Sequence, residues 1–250
     1  MKRIFLVGTV AALAAFSAAP AAHARPFSYT YKGKYAEVEF SWSAEAAATP
    51  ELATRLRSEL ARERAKTIRG GKEEYAIRQQ SGSPGVGWQS ITKITTSGET
   101  PRLLSLSREY YAFTGGAHGN GGTTGLLWDR KLKKEIAFAS LFLSPPVYEK
   151  LLRAPYCRAL DAERAKRRGG NGKLGNGVSE FDSCPKLSDL ALVPSESKSS
   201  KGFDQVHLIA APYLAGPYAE GQYDIVLPVT RQLVQSMKPQ YRRSFEPQRQ

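Results

Sequence analysis

The sequence lacks any apolar stretch of the roughly 20 residues that a membrane-spanning helix needs. Its N-terminal apolar run, from Ile4 to Ala19, is shorter and rich in alanine; it follows two basic residues and leads to Ala-His-Ala. This pattern is typical of a cleaved secretory signal peptide. We therefore expect residues 1–24 to be removed, with cleavage before Arg25. A periplasmic or secreted protein without an integral membrane segment would result, and a membrane anchor is the alternative.

Cysteine is scarce. The mature chain has only Cys157 and Cys184, and no second Cys/His pair has the spacing of a zinc site. Two thiols in an oxidising compartment most simply form one disulfide, whose loop closure would stabilise the fold by about 3–4 kcal/mol. The sequence therefore predicts a Cys157–Cys184 disulfide, with metal ligation as the alternative.

Acidic residues are too few to balance the basic ones. The chain has 36 Lys and Arg against 23 Asp and Glu, and its net charge of +13 becomes +11 without the two basic residues of the signal peptide. A basic surface can bind the phosphate backbone of nucleic acid, but export argues against that partner. Anionic lipid head groups, cell-wall polymer or a merely solvated surface remain as interpretations.

The motifs of several enzyme classes are also missing. There is no Gly-x-Ser-x-Gly nucleophile elbow. The glycine-rich loop at residues 114–122 lacks a Gly-Lys-Ser/Thr ending and a dinucleotide fingerprint, and β-like sequence follows it. The spacing of His118 and His207 supports no metal site. We therefore expect no bound cofactor and no metal.

His118 lies within that glycine-rich loop, which joins two β-like runs. It could act as a general base near neutral pH, oriented by Asp129, Glu109 or Glu220. Alternatively, it hydrogen-bonds the loop backbone and fixes the turn, which is the interpretation we favour. The same structural interpretation applies to His207, which falls in a strand pattern.

Alternating apolar residues predict most of the strands. The expected strands are a pair within residues 25–42, a hairpin from Trp88 to Phe113 turning at Ser97–Pro101, a strand from Thr123 to Trp128, one within Glu135–Phe142, a hairpin of Leu190–Val193 with Phe203–Tyr213, and a last strand at Tyr223–Leu227.

Three helices are expected between these groups of strands. The first begins at Thr49-Pro50-Glu51 with a capping hydroxyl and ends near Gly70-Gly71; its arginines form either a solvated face or a binding site. The second runs from Ser144 to Arg168 and should kink or break at Pro155. A short closing helix spans residues 229–237, followed by a disordered tail. Antiparallel hairpins with helices between them favour an α+β fold over a doubly wound parallel sheet.

Two segments resemble a known family. The first is Tyr111-x-Phe113-Thr114-Gly115-Gly116-Ala117-His118-Gly119-Asn120, followed by Asp129 and Ala139-Ser140-Leu141-Phe142. The second is Tyr213-Leu214-Ala215-Gly216-Pro217-Tyr218-Ala219-Glu220-Gly221, leading to Leu227-Pro228. Together they are similar to the extracellular domain of the lysozyme-sensing anti-sigma factor RsiV. They also resemble the accessory domains of a peptidoglycan deacetylase and a secreted mycobacterial antigen.

The resemblance covers roughly residues 105–238 and implies an antiparallel α+β fold. It also implies a smaller N-terminal module at residues 25–104 and a C-terminal domain at 105–241. The terminal position of residues 242–250 predicts a flexible tail. The two motifs supply the candidate ligand-binding residues. These are Tyr111, Gly115, Gly116, His118, Asn120, Tyr213, Tyr218 and Glu220.

The best understood member of the family acts by binding lysozyme. This chain lacks that protein's transmembrane and sigma-binding segments, and its basic charge would oppose encounter with a basic lysozyme. We therefore expect a non-enzymatic binding module that acts on peptidoglycan or on a secreted protein at the cell envelope. The alternatives are a hydrolase of cell-wall saccharide or peptide that uses His118 with Asp129, and a purely structural envelope protein.

Overall fold

The computed structural model describes residues 24–170, 174, 179–198 and 200–248; most of the expected signal peptide and much of the glycine-rich segment before Cys184 lie outside these residues. Two sheets and several helices confirm the predicted α+β class. The strands are β1 (Phe27–Lys32), β2 (Ala36–Trp42), β3 (Trp88–Glu99), β4 (Leu103–Phe113), β5 (Asn120–Asp129), β6 (Lys134–Ile136), β7 (Ala191–Ser195), β8 (Gln205–Ala210) and β9 (Tyr223–Pro228). The α-helices are α1 (Ala44–Ala47), α2 (Pro50–Gln80), α3 (Pro145–Arg168), α4 (Arg231–Gln235) and α5 (Pro239–Arg242).

The first sheet has six strands in the order β1 to β6. Its neighbours pair antiparallel, as the predicted hairpins require, except for β2 and β3, which are parallel. Parallel neighbours need a crossover connection, and α2 supplies it. The predicted strand within residues 135–142 is short, because the chain leaves β6 for a 3₁₀ turn at Phe138–Leu141.

The first core lies between this sheet and α2. Side chains of β2 alternate between buried and partly exposed positions, and Val38, Phe40 and Trp42 are buried, which confirms the prediction of one buried face. They meet Leu52 and Leu56 on α2. Each fully buried side chain of this size contributes about 1.5–3 kcal/mol.

The predicted end of the first helix is wrong, because α2 continues for a further nine residues beyond Gly71. A Cβ at Gly71 would overlap the carbonyl oxygen of Tyr35, and one at Gly70 would overlap the ring of Trp88. These glycines therefore let the helix pass close to Tyr35, which precedes β2, and to Trp88, which begins β3. The predicted capping hydroxyl is also absent: Thr49 Oγ1 donates to the carbonyl of Glu45 instead.

The second sheet is antiparallel, in the order β7-β8-β9. Tyr223, Ile225 and Leu227 of β9 are buried and pack with Leu152 and Tyr156 of α3 in a second core. This core also takes side chains from β4 and β5, so those two strands lie between the two cores. The boundary predicted between residues 104 and 105 falls within β4, and the division into two domains remains a prediction.

The α3 helix continues through Pro155 to Arg168, so the predicted break does not occur. Leu152, Tyr156 and Leu160 are all buried in the second core and hold the helix on both sides of the proline. The predicted disulfide is confirmed: Cys157 of α3 is bonded to Cys184, with a Cα–Cα distance of 5.6 Å.

The C-terminal tail was predicted to be disordered, but the structure places residues 242–248 against the second sheet. Phe245 is buried beside Phe203, with ring centroids 5.2 Å apart. The backbone N–H of Gln248 donates to the carbonyl of Val229 at 3.0 Å. The buried side chain of Phe245 and backbone hydrogen bonds therefore hold residues 242–248 in place, although their sequence predicted a disordered terminus. No helix of the described residues is long and apolar enough to cross a membrane.

Candidate functional site

The two segments that carried the family resemblance meet in space. The first is the glycine–histidine loop, residues 114–119, between β4 and β5. The second is the tyrosine loop, residues 211–222, between β8 and β9. The hydroxyl of Tyr218 donates to the carbonyl of Gly119 at 2.9 Å. One continuous surface therefore contains residues that are about a hundred positions apart in the sequence.

Three rings form an aromatic stack on this surface. The imidazole of His118 stacks on the ring of Tyr218, with centroids 4.3 Å apart and planes inclined by 24°. The ring of Tyr213 stacks on the same tyrosine at 5.7 Å. Aromatic groups held against one another lose little conformational freedom when they bind a ligand, which favours a recognition role.

Tyr213 has a strained backbone. Its φ is +71°, and among the described residues Lys133 is the other non-glycine residue with a positive φ. An L-residue in this region costs about 1–2 kcal/mol. The N–H of Tyr213 donates to the carbonyl of Gly216 at 3.0 Å, closing a tight turn, and the side chain is left 49% exposed. The loop therefore holds an exposed tyrosine in a backbone conformation that lowers the stability of the fold.

His118 is exposed and bonds to its own loop. Its Nδ1 lies 2.8 Å from the carbonyl oxygen of Gly119. A carbonyl can only accept, so Nδ1 carries the proton and, in the neutral ring, Nε2 is the free acceptor. Among the described residues no carboxylate is hydrogen-bonded to His118. This geometry agrees with the interpretation of His118 as a residue that fixes the loop.

Asp129 cannot orient His118, so that predicted catalytic pair is wrong. It lies at the far end of β5, about 30 Å from the loop at the usual rise of a strand. Its fully buried carboxylate accepts hydrogen bonds from Arg102, from Tyr241 and from the backbone of the following turn. Burial raises the pKa of Asp129, but these hydrogen bonds and the charge of Arg102 outweigh burial and hold the pKa below its ordinary value.

Glu220 anchors the tyrosine loop. Its carboxylate accepts hydrogen bonds from Nε of Arg168 at 2.9 Å, from Nη2 of the same residue at 3.0 Å, and from the hydroxyl of Tyr223. Burial raises the pKa of Glu220, but the hydrogen bonds from Arg168 and Tyr223 lower it by more than burial raises it. The pKa of Glu220 therefore lies below its ordinary value. Glu220 is therefore an ionised anchor of the loop, and its hydrogen bonds go to Arg168 and Tyr223 and not to His118, which it was predicted to orient. Glu109, the third candidate, is an exposed residue of β4 placed opposite Thr123.

The other candidate residues support the glycine–histidine loop or lie beside it. Gly115 has a φ of +91°, and its carbonyl accepts from Arg78 of α2, which ties the loop to the end of that helix. The ring of Tyr111 fills the space where a Cβ at Gly119 would stand. Gly116 is exposed in the loop, and exposed Asn120 begins β5 opposite Ala112.

His207 lies away from this surface, in the second sheet. Its Nδ1 is 2.9 Å from both carboxylate oxygens of Asp224 on the neighbouring strand. In the described part of the chain, no three His, Cys, Asp or Glu side chains are grouped closely enough to hold a metal ion.

A cleft extends from the aromatic stack along β5. Its first part has a volume of about 500 Å³ and is lined by Tyr218, Tyr110 and Thr123, among others. Tyr110 and Thr123 also line a second part of about 620 Å³, which reaches β6 and β7. Tyr110, which is 40% exposed, is not among the predicted site residues, because residues 103–113 do not alternate strictly enough to show which side chains share a face.

Comparisons with known proteins support part of the resemblance. A family model described as deacetylase PdaC matches residues 29–121, from β1 to the start of β5. This segment includes the glycine–histidine loop but lies mainly in the predicted N-terminal module. No curated protein matches the chain.

Two solved structures share the fold. A DUF3298 family protein of Pseudomonas aeruginosa PAO1 is 17% identical, with a TM-score of 0.50, and the match covers 90% of this chain and 97% of that one. A DUF3298 family member of Bacteroides fragilis NCTC 9343 is 15% identical, with a TM-score of 0.52 and coverage of 85% and 92%. Identities this low establish similarity of fold alone.

Proposed function

We propose that this protein is a non-enzymatic binding module of the cell envelope, periplasmic or secreted, that recognises peptidoglycan saccharide through the aromatic stack. The observation that carries the proposal is the stack itself, in which Tyr213 is half exposed on a strained backbone beside Tyr218 and His118. Strain of this kind is typical of sites where function, and not stability, decides the conformation. The match to the deacetylase PdaC model supports a cell-wall context.

Chemistry supports saccharide as the ligand. Tyrosine offers a flat apolar face with a polar edge, and it combines a large contact area with few rotatable bonds. A sugar ring presents C–H groups on its faces and hydroxyls at its rim, so a stacked tyrosine fits the faces. The peptide groups of the adjoining cleft can accept hydrogen bonds from the hydroxyls.

A hydrolase is less well supported by the geometry. Nε2 of His118 would have to act without a carboxylate partner in the described part of the chain, and the nearby Glu220 is occupied by Arg168. A secreted lysozyme-like protein remains an alternative partner. A purely structural role in the envelope would leave the strained, exposed Tyr213 without an explanation.

The proposal is tested by co-sedimentation of the mature protein with purified peptidoglycan. We expect Tyr213→Ala to weaken binding by about tenfold, a loss typical of a central aromatic contact. Leu132→Ala is the matched control: Leu132 is 48% exposed and lies beyond the far end of β5, so its variant should bind within about twofold of wild type.

The same assay separates the alternatives. Soluble lysozyme is added at low and high salt in place of peptidoglycan, with thermal unfolding as a check on folding. Equal binding of peptidoglycan by both variants, or no binding by the wild-type protein, would refute the proposal. Binding of lysozyme alone would assign the surface to a protein partner.

A further inference from the structure

Among the residues that the structure describes, no strand lies beside the outer edge of β5 over most of its length. On one side β5 pairs with β4 from Asn120 to Asp129. On the other side β6 pairs with residues 127–129 only. No strand of the described residues covers this edge from residue 120 to residue 126.

The backbone of this edge can be assigned from one hydrogen bond. The N–H of Arg130 donates to the carbonyl of Arg102 at 2.9 Å, so these opposite residues form a hydrogen-bonded pair. Hydrogen-bonded and non-hydrogen-bonded pairs alternate along an antiparallel ladder. The N–H and C=O groups of Gly121, Thr123 and Gly125 therefore point away from β4, toward the open edge.

This edge lacks the features that protect strand edges. Native sheets usually block an exposed edge with proline, lysine or a bulge. The segment from Asn120 to Trp128 contains no proline and no charged residue, and its pairing with β4 has no register shift. By contrast, β7 and β9, the edge strands of the second sheet, carry Pro194 and Pro228.

The edge opens into the cleft beside the aromatic stack. Thr123 lines both parts of the cleft, and Gly125 lines the larger part together with residues of β6 and β7. A Cβ at Gly125 would lie 2.8 Å from the carbonyl oxygen of Leu192. Because a Cβ projects out of the plane of its sheet, β7 crosses the face of β5 and does not pair with its edge. The tyrosine loop approaches the first residues of the edge through side chains, since Thr123 Oγ1 donates to Gln222 Oε1 at 2.9 Å.

The charge of the cleft is opposite to that of the molecule. Its described lining includes four carboxylates and no lysine or arginine, in a chain of net charge +13. Glu135 and Glu220 are in ion pairs with arginines outside the lining. Glu109 and Asp189 are exposed and form no ion pair with any described residue. A cationic occupant would therefore be favoured here.

We propose that the open edge of β5 accepts an extended polypeptide segment carrying lysine or arginine, which adds to the six-stranded sheet as a strand beside β5. Outward N–H and C=O groups at alternate residues are the chemistry that recognises another extended backbone. Glu109 and Asp189 would select basic side chains on that segment. The site adjoins the proposed saccharide surface but does not depend on it.

The test uses a fluorescent peptide of alternating threonine and lysine, as long as β5 at ten residues, and measures its binding to the mature protein by anisotropy. We expect binding that is lost when alternate peptide nitrogens are methylated, because methylation removes the N–H donors of one edge. A peptide with glutamate in place of lysine should bind at least about tenfold more weakly. Equal binding of the methylated peptide or of the all-D peptide would overturn strand addition.

Variants of the protein give an independent readout. The double variant Glu109→Lys with Asp189→Lys should weaken binding of the lysine peptide by about tenfold, whereas the control Glu73→Lys, an exposed acid on α2, should change it by less than about twofold. Tyr213→Ala should leave peptide binding intact, which separates this site from the saccharide surface. Equal effects of the double variant and the control, or no peptide binding at all, would overturn the proposal.

Discussion

Tyr213 is a residue whose strained backbone lowers stability while its side chain remains exposed to solvent. Its positive φ crowds the Cβ against the backbone, while its ring stacks on Tyr218 and remains half exposed. A glycine would relieve the crowding but would remove the ring. We therefore propose that recognition, and not folding, accounts for the tyrosine at this position.

This trade-off can be measured with two variants. Tyr213→Gly and Tyr213→Ala both remove the stacking ring, but only glycine adopts the positive φ without strain. We expect the glycine variant to be more stable than the alanine variant by about 1 kcal/mol. Urea unfolding followed by circular dichroism measures the difference. An alanine variant at least as stable as the glycine variant would show that the turn is not strained.

At the residue scale, the sequence identified the correct loops but not the roles of their carboxylates. Asp129 and Glu220 were both possible partners of His118, since spacing along the chain says nothing about distance in the fold. The structure places one at the far end of β5 and the other in an ion pair with Arg168. Tyr110 was missed because an irregular strand pattern does not show which side chains face a cleft.

At the scale of elements, α2 shows why glycine is an ambiguous signal. Gly70 and Gly71 resemble a helix end, but α2 continues past both of them to Gln80. Their lack of a side chain serves packing against Trp88 and Tyr35, which only the folded chain reveals. Strands with strict alternation, such as β2 and β9, were predictable because one face of each meets a core. Pro155 does not break α3, since buried neighbours hold the helix together around it.

Close packing at Gly71 of α2 should reverse the usual effect of helix propensity. Alanine is normally favoured over glycine in a helix by about 1 kcal/mol. We expect Gly71→Ala instead to destabilise the protein by about 1–3 kcal/mol, because its Cβ meets a backbone carbonyl that cannot move freely.

Ala61→Gly, at an exposed site on the same helix, is the control and should lose only the propensity difference of about 1 kcal/mol. Thermal and urea unfolding of both variants provide the comparison. A stabilising effect of Gly71→Ala would mean that the glycine pair has no packing role.

At the scale of the whole molecule, β4 and β5 connect two cores. Side chains on one face of these strands pack with α2, and those on the other pack with α3 and the second sheet. The disulfide and the C-terminal segment both secure the second core, through Cys157 of α3 and through Phe245. The sequence predicted the disulfide because only one pairing is possible. It did not predict the fixed tail, because a single buried phenylalanine leaves no periodic pattern.

Ionised carboxylates also couple the fold to pH. The pKa values of Asp129, Asp204 and Glu220 all lie below their ordinary values. Burial raises each pKa, but hydrogen bonds to the carboxylate lower it by a larger amount. A group whose pKa is lower in the folded state stabilises that state above its unfolded pKa and loses this contribution as the pH falls through the folded pKa. The contribution of these three carboxylates to stability should therefore be constant from neutral pH down to about 4.5, the ordinary pKa of glutamate, and should decline below it.

Urea unfolding at a series of pH values measures this decline. Glu220→Gln should be less stable at neutral pH and should show a shallower loss in acid, because its contribution is already absent. A variant that loses stability in acid as steeply as wild type would remove Glu220 from this coupling.

We propose that the aromatic stack recognises cell-wall saccharide without cleaving or modifying it. The most direct measurement is to incubate purified peptidoglycan with the mature wild-type protein and with Tyr213→Gly, and to follow both the bound fraction and the release of soluble products. We expect wild type to bind and release nothing, and the glycine variant to bind about tenfold more weakly although it is folded. Undiminished binding by Tyr213→Gly, or product release by wild type that His118→Ala abolishes, would contradict the claim.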